Sequence, residues 1–192
     1  MRNLFSAAAL FALAACGQTE TGAPAASTST SACAREATHE ISWSSEDAAD
    51  IVTASSSGPS CAQAVVTLIA RDADGDPLLA FSSSYYDLTA GGVGPEGPAA
   101  VSDEQMDTFL QGWANVSLMP SSELPEWREG AATLTESVQG FSYDTPFGRE
   151  AYEMLRTSGQ TLLCYAASAE GSQCLIMDPA TQSSIPFVAF GP

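Results

Sequence analysis

The sequence contains no lysine, and its only basic side chains besides His39 are six arginines: Arg2, Arg35, Arg71, Arg128, Arg149 and Arg156. Against these stand 23 Asp and Glu, which give the 192-residue chain a formal charge of −17. Each shortage excludes a class of function. Nucleic-acid affinity comes mainly from Lys and Arg neutralising phosphates, so a chain this acidic repels such partners. Without Lys there is no P-loop lysine, no Schiff base and no lysine general base. One His cannot build a two-histidine metal site. No G-x-S-x-G elbow and no C-x-x-C pair occurs, which removes two further catalytic or metal-binding templates. What remains is a length suited to one domain, with 45% hydrophobic residues to build a core.

The N-terminus opens with Met1-Arg2-Asn3 and continues in a largely apolar stretch from Leu4 to Ala15. Such a stretch is too short to cross a hydrocarbon layer, which takes roughly twenty residues. A basic start, a short apolar segment and small residues at its end are the pattern of a secretory signal, here residues 1–15. The segment ends Leu13-Ala14-Ala15-Cys16-Gly17. This closely resembles the lipobox of bacterial lipoproteins. The resemblance covers about the first 17 residues and implies cleavage before Cys16, with acylation of its sulfur (palmitate among the acyl groups) and of the new amine. It implies a lipid-anchored cell-envelope protein whose first partner is the bilayer. Gly17, in place of the Asp associated with inner-membrane retention, implies the outer membrane, facing the periplasm. Cleavage removes Arg2 and leaves five Arg against 23 acids, a net charge of −18.

From Gly17 to Ser31 the chain reads GQTETGAPAASTSTS. It has no large apolar residue and cannot bury enough surface to offset chain entropy, so residues 16–32 are expected to be a lipidated Cys followed by a disordered tether. Residues 33–192 then form the globular domain. Its cysteines are Cys33, Cys61, Cys164 and Cys174. An exported chain meets an oxidising compartment, where disulfides persist, and four cysteines allow three pairings. Cys164 and Cys174 flank a hairpin-like stretch between the apolar segments TLLCYAA and SQCLIMD. They are placed to face each other across an antiparallel pair, which favours Cys164–Cys174 and leaves Cys33–Cys61. Closing the longer loop would add roughly 3 kcal/mol through the unfolded state.

Apolar periodicity places strands at Thr38–Trp43, Asp50–Ser55, Ala62–Arg71 and Leu78–Ser84, the third apolar on both faces and so read as a central strand. The DADGDP stretch supplies a hairpin turn between the last two. Ser102 and Gln105 form a capping box and Val101 with Met106 a hydrophobic staple. The helix that follows carries Met106, Phe109, Leu110 and Trp113 on one stripe. A second helix is predicted from Thr145, with Pro146 in its first turn, Phe147, Ala151, Met154 and Leu155 on its apolar face, and Gly159 at its end. Strands follow at Thr161–Ala167, Gln173–Met177 and Ile185–Phe190. The expected fold is a compact single α+β domain, with antiparallel sheet in two short meanders, two main helices and two disulfides.

The remaining motifs favour plain structural roles. Gly92-Val93-Gly94-Pro95-Glu96-Gly97 matches G-x-G-x-x-G by letter, but Pro95 and Pro98 interrupt it and no helix opens at its glycines, so it reads as a flexible loop, with a lid over a site as its second reading. Asp72, Asp74 and Asp76 alternate as calcium ligands do, yet Gly75 stands fourth rather than sixth and no bidentate Glu follows; a hairpin turn explains them. His39 has no catalytic companion and reads as an exposed or hydrogen-bonded strand residue. Glu150 and Glu153 beside Arg149 and Arg156 read as ion pairs along a helix. Trp43 and Trp113 fall on core stripes. Trp127, in the polar connector SSELPEWREG, reads either as a plug at the domain edge or as a contact residue, and Tyr85 and Tyr86 are further candidates for binding.

No metal, no cofactor and no catalytic residue is assigned. The sequence therefore points to a non-catalytic, membrane-anchored module that binds or assists another envelope component, its acidic surface suited to a cationic protein. The competing expectation is an envelope hydrolase that cleaves cell-wall glycan or peptide through two facing carboxylates.

Overall fold

The computed structural model describes residues 32–89, 99–138, 140–178 and 180–192. The lipobox, the tether and the Gly92–Gly97 motif lie outside the described residues. Two antiparallel sheets organise the fold. The first is a meander in the order β1-β2-β3-β4: β1 (Arg35–Ile41), β2 (Asp50–Ser57), β3 (Val65–Arg71) and β4 (Pro77–Ser84). A short helix α1 (Tyr85–Thr89) follows, then α2 (Asp103–Ala114). The second sheet combines β5 (Ser117–Pro120), β6 (Ser142–Asp144), β7 (Thr161–Ala166), β8 (Ser172–Asp178) and β9 (Ser183–Gly191) in the order β5-β7-β8-β9-β6. Helix α3 (Arg149–Thr157) lies between β6 and β7 in the chain. This is the expected α+β domain. One meander is the whole first sheet and the other is β7-β8-β9 at the centre of the second.

Both disulfides have the favoured pairing. Cys33–Cys61 closes 28 positions of chain with its Cα atoms 4.9 Å apart. Cys164–Cys174 joins directly opposed residues of β7 and β8, Cα atoms 4.0 Å apart. The close approach of non-hydrogen-bonded pairs in antiparallel ladders allows such a bridge.

Two cores result. In the first, Val52, Ala54, Val66, Leu68 and Ala70 of the first sheet meet Met106, Leu110 and Trp113 of α2 and Leu163, Tyr165 and Leu175 of the second. Arg35 pairs with Asp103 and lies 3.7 Å from Asp107, fastening β1 to α2. The second core lies on the opposite face of the second sheet. There Leu162, Cys164, Cys174, Ile176, Phe187 and Val188 are covered by Tyr152 of α3 and by Leu124 and Leu134 of the connector. The register of β8 and β9 shifts between Cys174 and Leu175, leaving Phe187 as an extra residue between Pro186 and Val188. The bulge lets Phe187 and Val188 both serve the second core. Pro186 is tolerated because β6 pairs only with Ala189–Gly191, which leaves that stretch of β9 on an open edge.

The capping box of α2 forms as expected: Gln105 N–H donates to Ser102 Oγ (3.1 Å) and Ser102 N–H to Gln105 Oε1 (2.8 Å). Val101 packs against the first core. Several boundaries differ. β1 begins at Arg35 and ends at Ile41, because the chain then turns around Asp50. That carboxylate is fully buried and accepts hydrogen bonds from Trp43 N–H (2.9 Å), Ser44 N–H (2.8 Å) and Ser44 Oγ (2.5 Å). β3 begins at Val65, since Cys61–Gln63 form a 3₁₀ turn. β3 is a central strand as expected, paired with β2 and β4, and one of its faces is buried. Val66, Leu68 and Ala70 face the core, whereas Val65 is 53% exposed. The outer face of the first sheet is open to solvent, and the cross-strand neighbours there are Ser55, Thr67, Ser82 and Ser84.

Helix α3 starts at Arg149, four residues later than expected. Thr145 Oγ1 donates to Phe187 C=O (2.7 Å) instead of capping a helix, and it brings Phe147 edge-on to the Phe187 ring, 5.7 Å away. Gly148 takes the cap position. The helix also shows a different face. Tyr152 is fully buried and Met154 is 66% exposed, because the Tyr152 ring stacks on Phe187 at 5.4 Å and fixes the rotation. No helix among the described residues is long and apolar enough to cross a membrane.

Candidate functional site

Trp127, Tyr85 and Tyr86 do not converge. Trp127 is half-buried against the second core. Its backbone N–H donates to Glu153 Oε1 (2.7 Å), its indole N–H to Ala131 C=O (3.0 Å), and its ring meets Tyr152 edge-on at 5.9 Å. These contacts give Trp127 the geometry of a plug that holds the connector down on α3. Tyr85 and Tyr86 stand on the other side, on α1. Their rings are 5.9 Å apart, Tyr85 meets Phe109 of α2 at 5.1 Å, and Tyr86 Oη donates to Ala99 C=O (2.6 Å). Tyr85 and Phe109 line a surface hollow of about 460 Å³ with Glu104, Gln105 and Thr108.

The other sequence candidates take structural positions. His39 is exposed on the edge strand β1. Asp72 closes its turn by accepting from the N–H groups of Asp74 (3.0 Å) and Asp76 (2.8 Å), with Gly75 in the left-handed region at φ +89°. Among the described residues no group of three or more His, Cys, Asp or Glu is placed to hold a metal ion. Of the expected α3 ion pairs, Arg156 bonds Glu153 at 2.8 Å and also reaches Glu126 at 3.6 Å. Arg149 and Glu150 form none among the described residues, because the helix begins only at Arg149 and both stand exposed in its first turn. Two tyrosines titrate high. Burial, reinforced by the nearby Glu153 carboxylate, pushes Tyr152 well above the usual phenol range, and burial raises Tyr165. Tyr152 Oη donates to Pro125 C=O (2.7 Å), so its role is to pin the connector.

One further concavity was not legible in the sequence. It is a groove of about 570 Å³ where the C-terminal half of α2 and the start of β5 meet the ends of β7, β8 and β9. This volume falls within the range of roughly 300–1,000 Å³ that ligand clefts occupy. Cys164, Ala166 and Ser172 come from adjacent strands, and Phe109, Trp113 and Phe190 supply aromatic walls. Trp113 is held by its indole N–H on Ala166 C=O (3.0 Å), and Phe190 by stacking on Tyr143 at 5.5 Å. Asn115, Ser117 and Ser172 add neutral polar groups. In a chain with 23 acids, no Asp, Glu or Arg lines this groove among the described residues.

Gly112 marks the groove wall. A glycine inside a helix costs roughly 0.5–1 kcal/mol relative to alanine. Nothing among the described residues requires it, because a Cβ at this position would meet no atom beyond its own helix backbone within 4 Å and the backbone is not left-handed. The one sequence signal for this groove was therefore a lone glycine on the polar side of an otherwise well-formed helix.

A second groove, of about 320 Å³, shares Ser172 and Phe190 with the first and carries two exposed carboxylates, Asp144 and Glu170. Gln173 lines it too, its amide donating to Cys174 C=O and Val188 C=O (3.0 Å each).

Compared with family models, with curated proteins and with solved structures, the chain matches none.

Proposed function

We propose that the chain is a non-catalytic lipoprotein of the cell envelope, anchored through acylated Cys16, whose acidic domain binds another envelope component. The observation that carries the proposal is the aromatic groove between α2 and the end of the second sheet. It offers about 570 Å³ with apolar walls and neutral polar groups, the composition of a recognition cleft. The lipobox resemblance and the tether composition support the anchored placement. A formal charge of −18 after processing favours a cationic partner, through steering and long-range attraction.

A carboxylate hydrolase has one observation in its favour: Asp144 and Glu170 line the same smaller groove. Both are exposed, whereas the general acid of such a pair works from an apolar pocket. The binding role is therefore preferred.

The test is capture of partners by the full chain from detergent-solubilised membranes, at low and at high salt. A specific partner held at low salt and released at high salt is expected. Recovery of no specific partner at either salt overturns the proposal.

A further inference from the structure

The two grooves, at the start of β8 and the end of β9, adjoin through Ser172 and Phe190. We propose that they take an extended peptide segment of a basic partner protein, which seats an apolar or aromatic side chain in the larger groove and sets a Lys or Arg beside Asp144 and Glu170. The inference rests on the proposed binding role and gives that role its site and ligand class.

Three observations carry it. First, the larger groove is apolar but not blank. Asn115, Ser117 and Ser172 line it, and their side chains make no hydrogen bond among the described residues. They are free to meet peptide N–H and C=O groups along a bound segment. Second, the wall is opened at Gly112, where the helix gives up stability that neither packing nor backbone conformation requires. The space above it suits a side chain brought by another molecule. Third, the charges are complementary. Asp144 and Glu170 stand beside Ser172 and Phe190, the two residues common to both grooves, and no Arg lines either one among the described residues. Arg35 and Arg156 are already paired with carboxylates, and Arg71 donates to Gly75 C=O (2.8 Å). With no Arg in the lining of either groove among the described residues, the positive charge opposite these carboxylates is assigned to the partner. A neutral sugar would fill the aromatic groove but leave the two carboxylates without a counterpart.

The experiment screens the full chain, in detergent micelles, against an immobilised library of random octapeptides and an array of neutral oligosaccharides. The same screen is run on Gly112→Trp and on the double variant Asp144→Asn, Glu170→Gln. Far-ultraviolet circular dichroism and thermal unfolding confirm that each variant is folded. Enrichment of peptides in which an apolar or aromatic residue lies next to Lys or Arg is expected, with affinity at least tenfold weaker for either variant. Enrichment that ignores both variants, no enrichment, or sugar binding that Gly112→Trp abolishes overturns the inference. Partner capture run in parallel separates its failure from failure of the binding role. A salt-sensitive partner held equally by wild-type and Gly112→Trp chains preserves the role and overturns the site.

Discussion

Tyr152 shows how one side chain ties together segments far apart in sequence. Its ring stacks on Phe187 of β9 and meets Trp127 of the connector, while its hydroxyl bonds Pro125. Burial raises its pKa in the folded state, with Glu153 adding to the shift. The consequence has a definite sign. Above pH about 10 the unfolded tyrosine loses its proton while the folded one keeps it. The unfolded state then binds fewer protons, so stability falls as pH rises. Stability is expected to be flat in this respect below pH about 10 and to drop above it, by up to about 1.4 kcal/mol per pH unit from this residue. Tyr165, raised by burial, adds to the same fall. Tyr152→Phe should cost about 1 kcal/mol at neutral pH through the lost bond to Pro125 and should flatten part of the alkaline slope. Urea unfolding at pH 8, 10 and 11 measures both effects. Single residues were unevenly legible in the sequence. Trp43 and Trp113 declared themselves by lying on apolar stripes. Asp50 did not, since one carboxylate among 23 acids gives no sign that it will be buried.

At the scale of elements, local chemistry was readable and tertiary choice was not. The capping box and apolar stripe of α2 depend on residues within a dozen positions of one another, and both are present in the fold. β5 and β6 leave no signal in the sequence, because four and three residues are too few for a periodic pattern. The start and face of α3 depart from expectation because Thr145 and Tyr152 answer to Phe187, far along the chain on β9. The large groove was hidden for a similar reason: its walls come from α2, β5, β7, β8 and β9, and its residues become neighbours only in the folded chain. Gly112→Ala separates fold from function at this place. It should stabilise the protein by about 0.5–1 kcal/mol, seen as a rise of roughly 1–4 °C in Tm. A drop in Tm would mean that the glycine serves the fold. The disulfides give a second element-scale expectation. Loops of 28 and 10 positions correspond to about 3.5 and 2.7 kcal/mol of unfolded-state restriction. Replacing Cys33 and Cys61 by Ala should therefore destabilise more than replacing Cys164 and Cys174. Denaturant midpoints of the two double variants decide the order.

For the whole molecule, scarcity of basic residues is the most informative property. The lack of Lys and the single His exclude most catalytic templates on composition alone. The fold adds an uncharged aromatic groove with Asp144 and Glu170 beside it. The proposed compartment and acylation hang on Cys16, and the lipobox resemblance behind them rests on five consecutive letters. The most direct test follows the chain and its Cys16→Ala variant in cells grown with labelled palmitate, then separates membrane from soluble fractions. The wild-type chain should carry label and sediment with membranes, and the variant should lack label and leave the membrane fraction. A wild-type chain that is unlabelled and soluble would contradict the anchored envelope role outright.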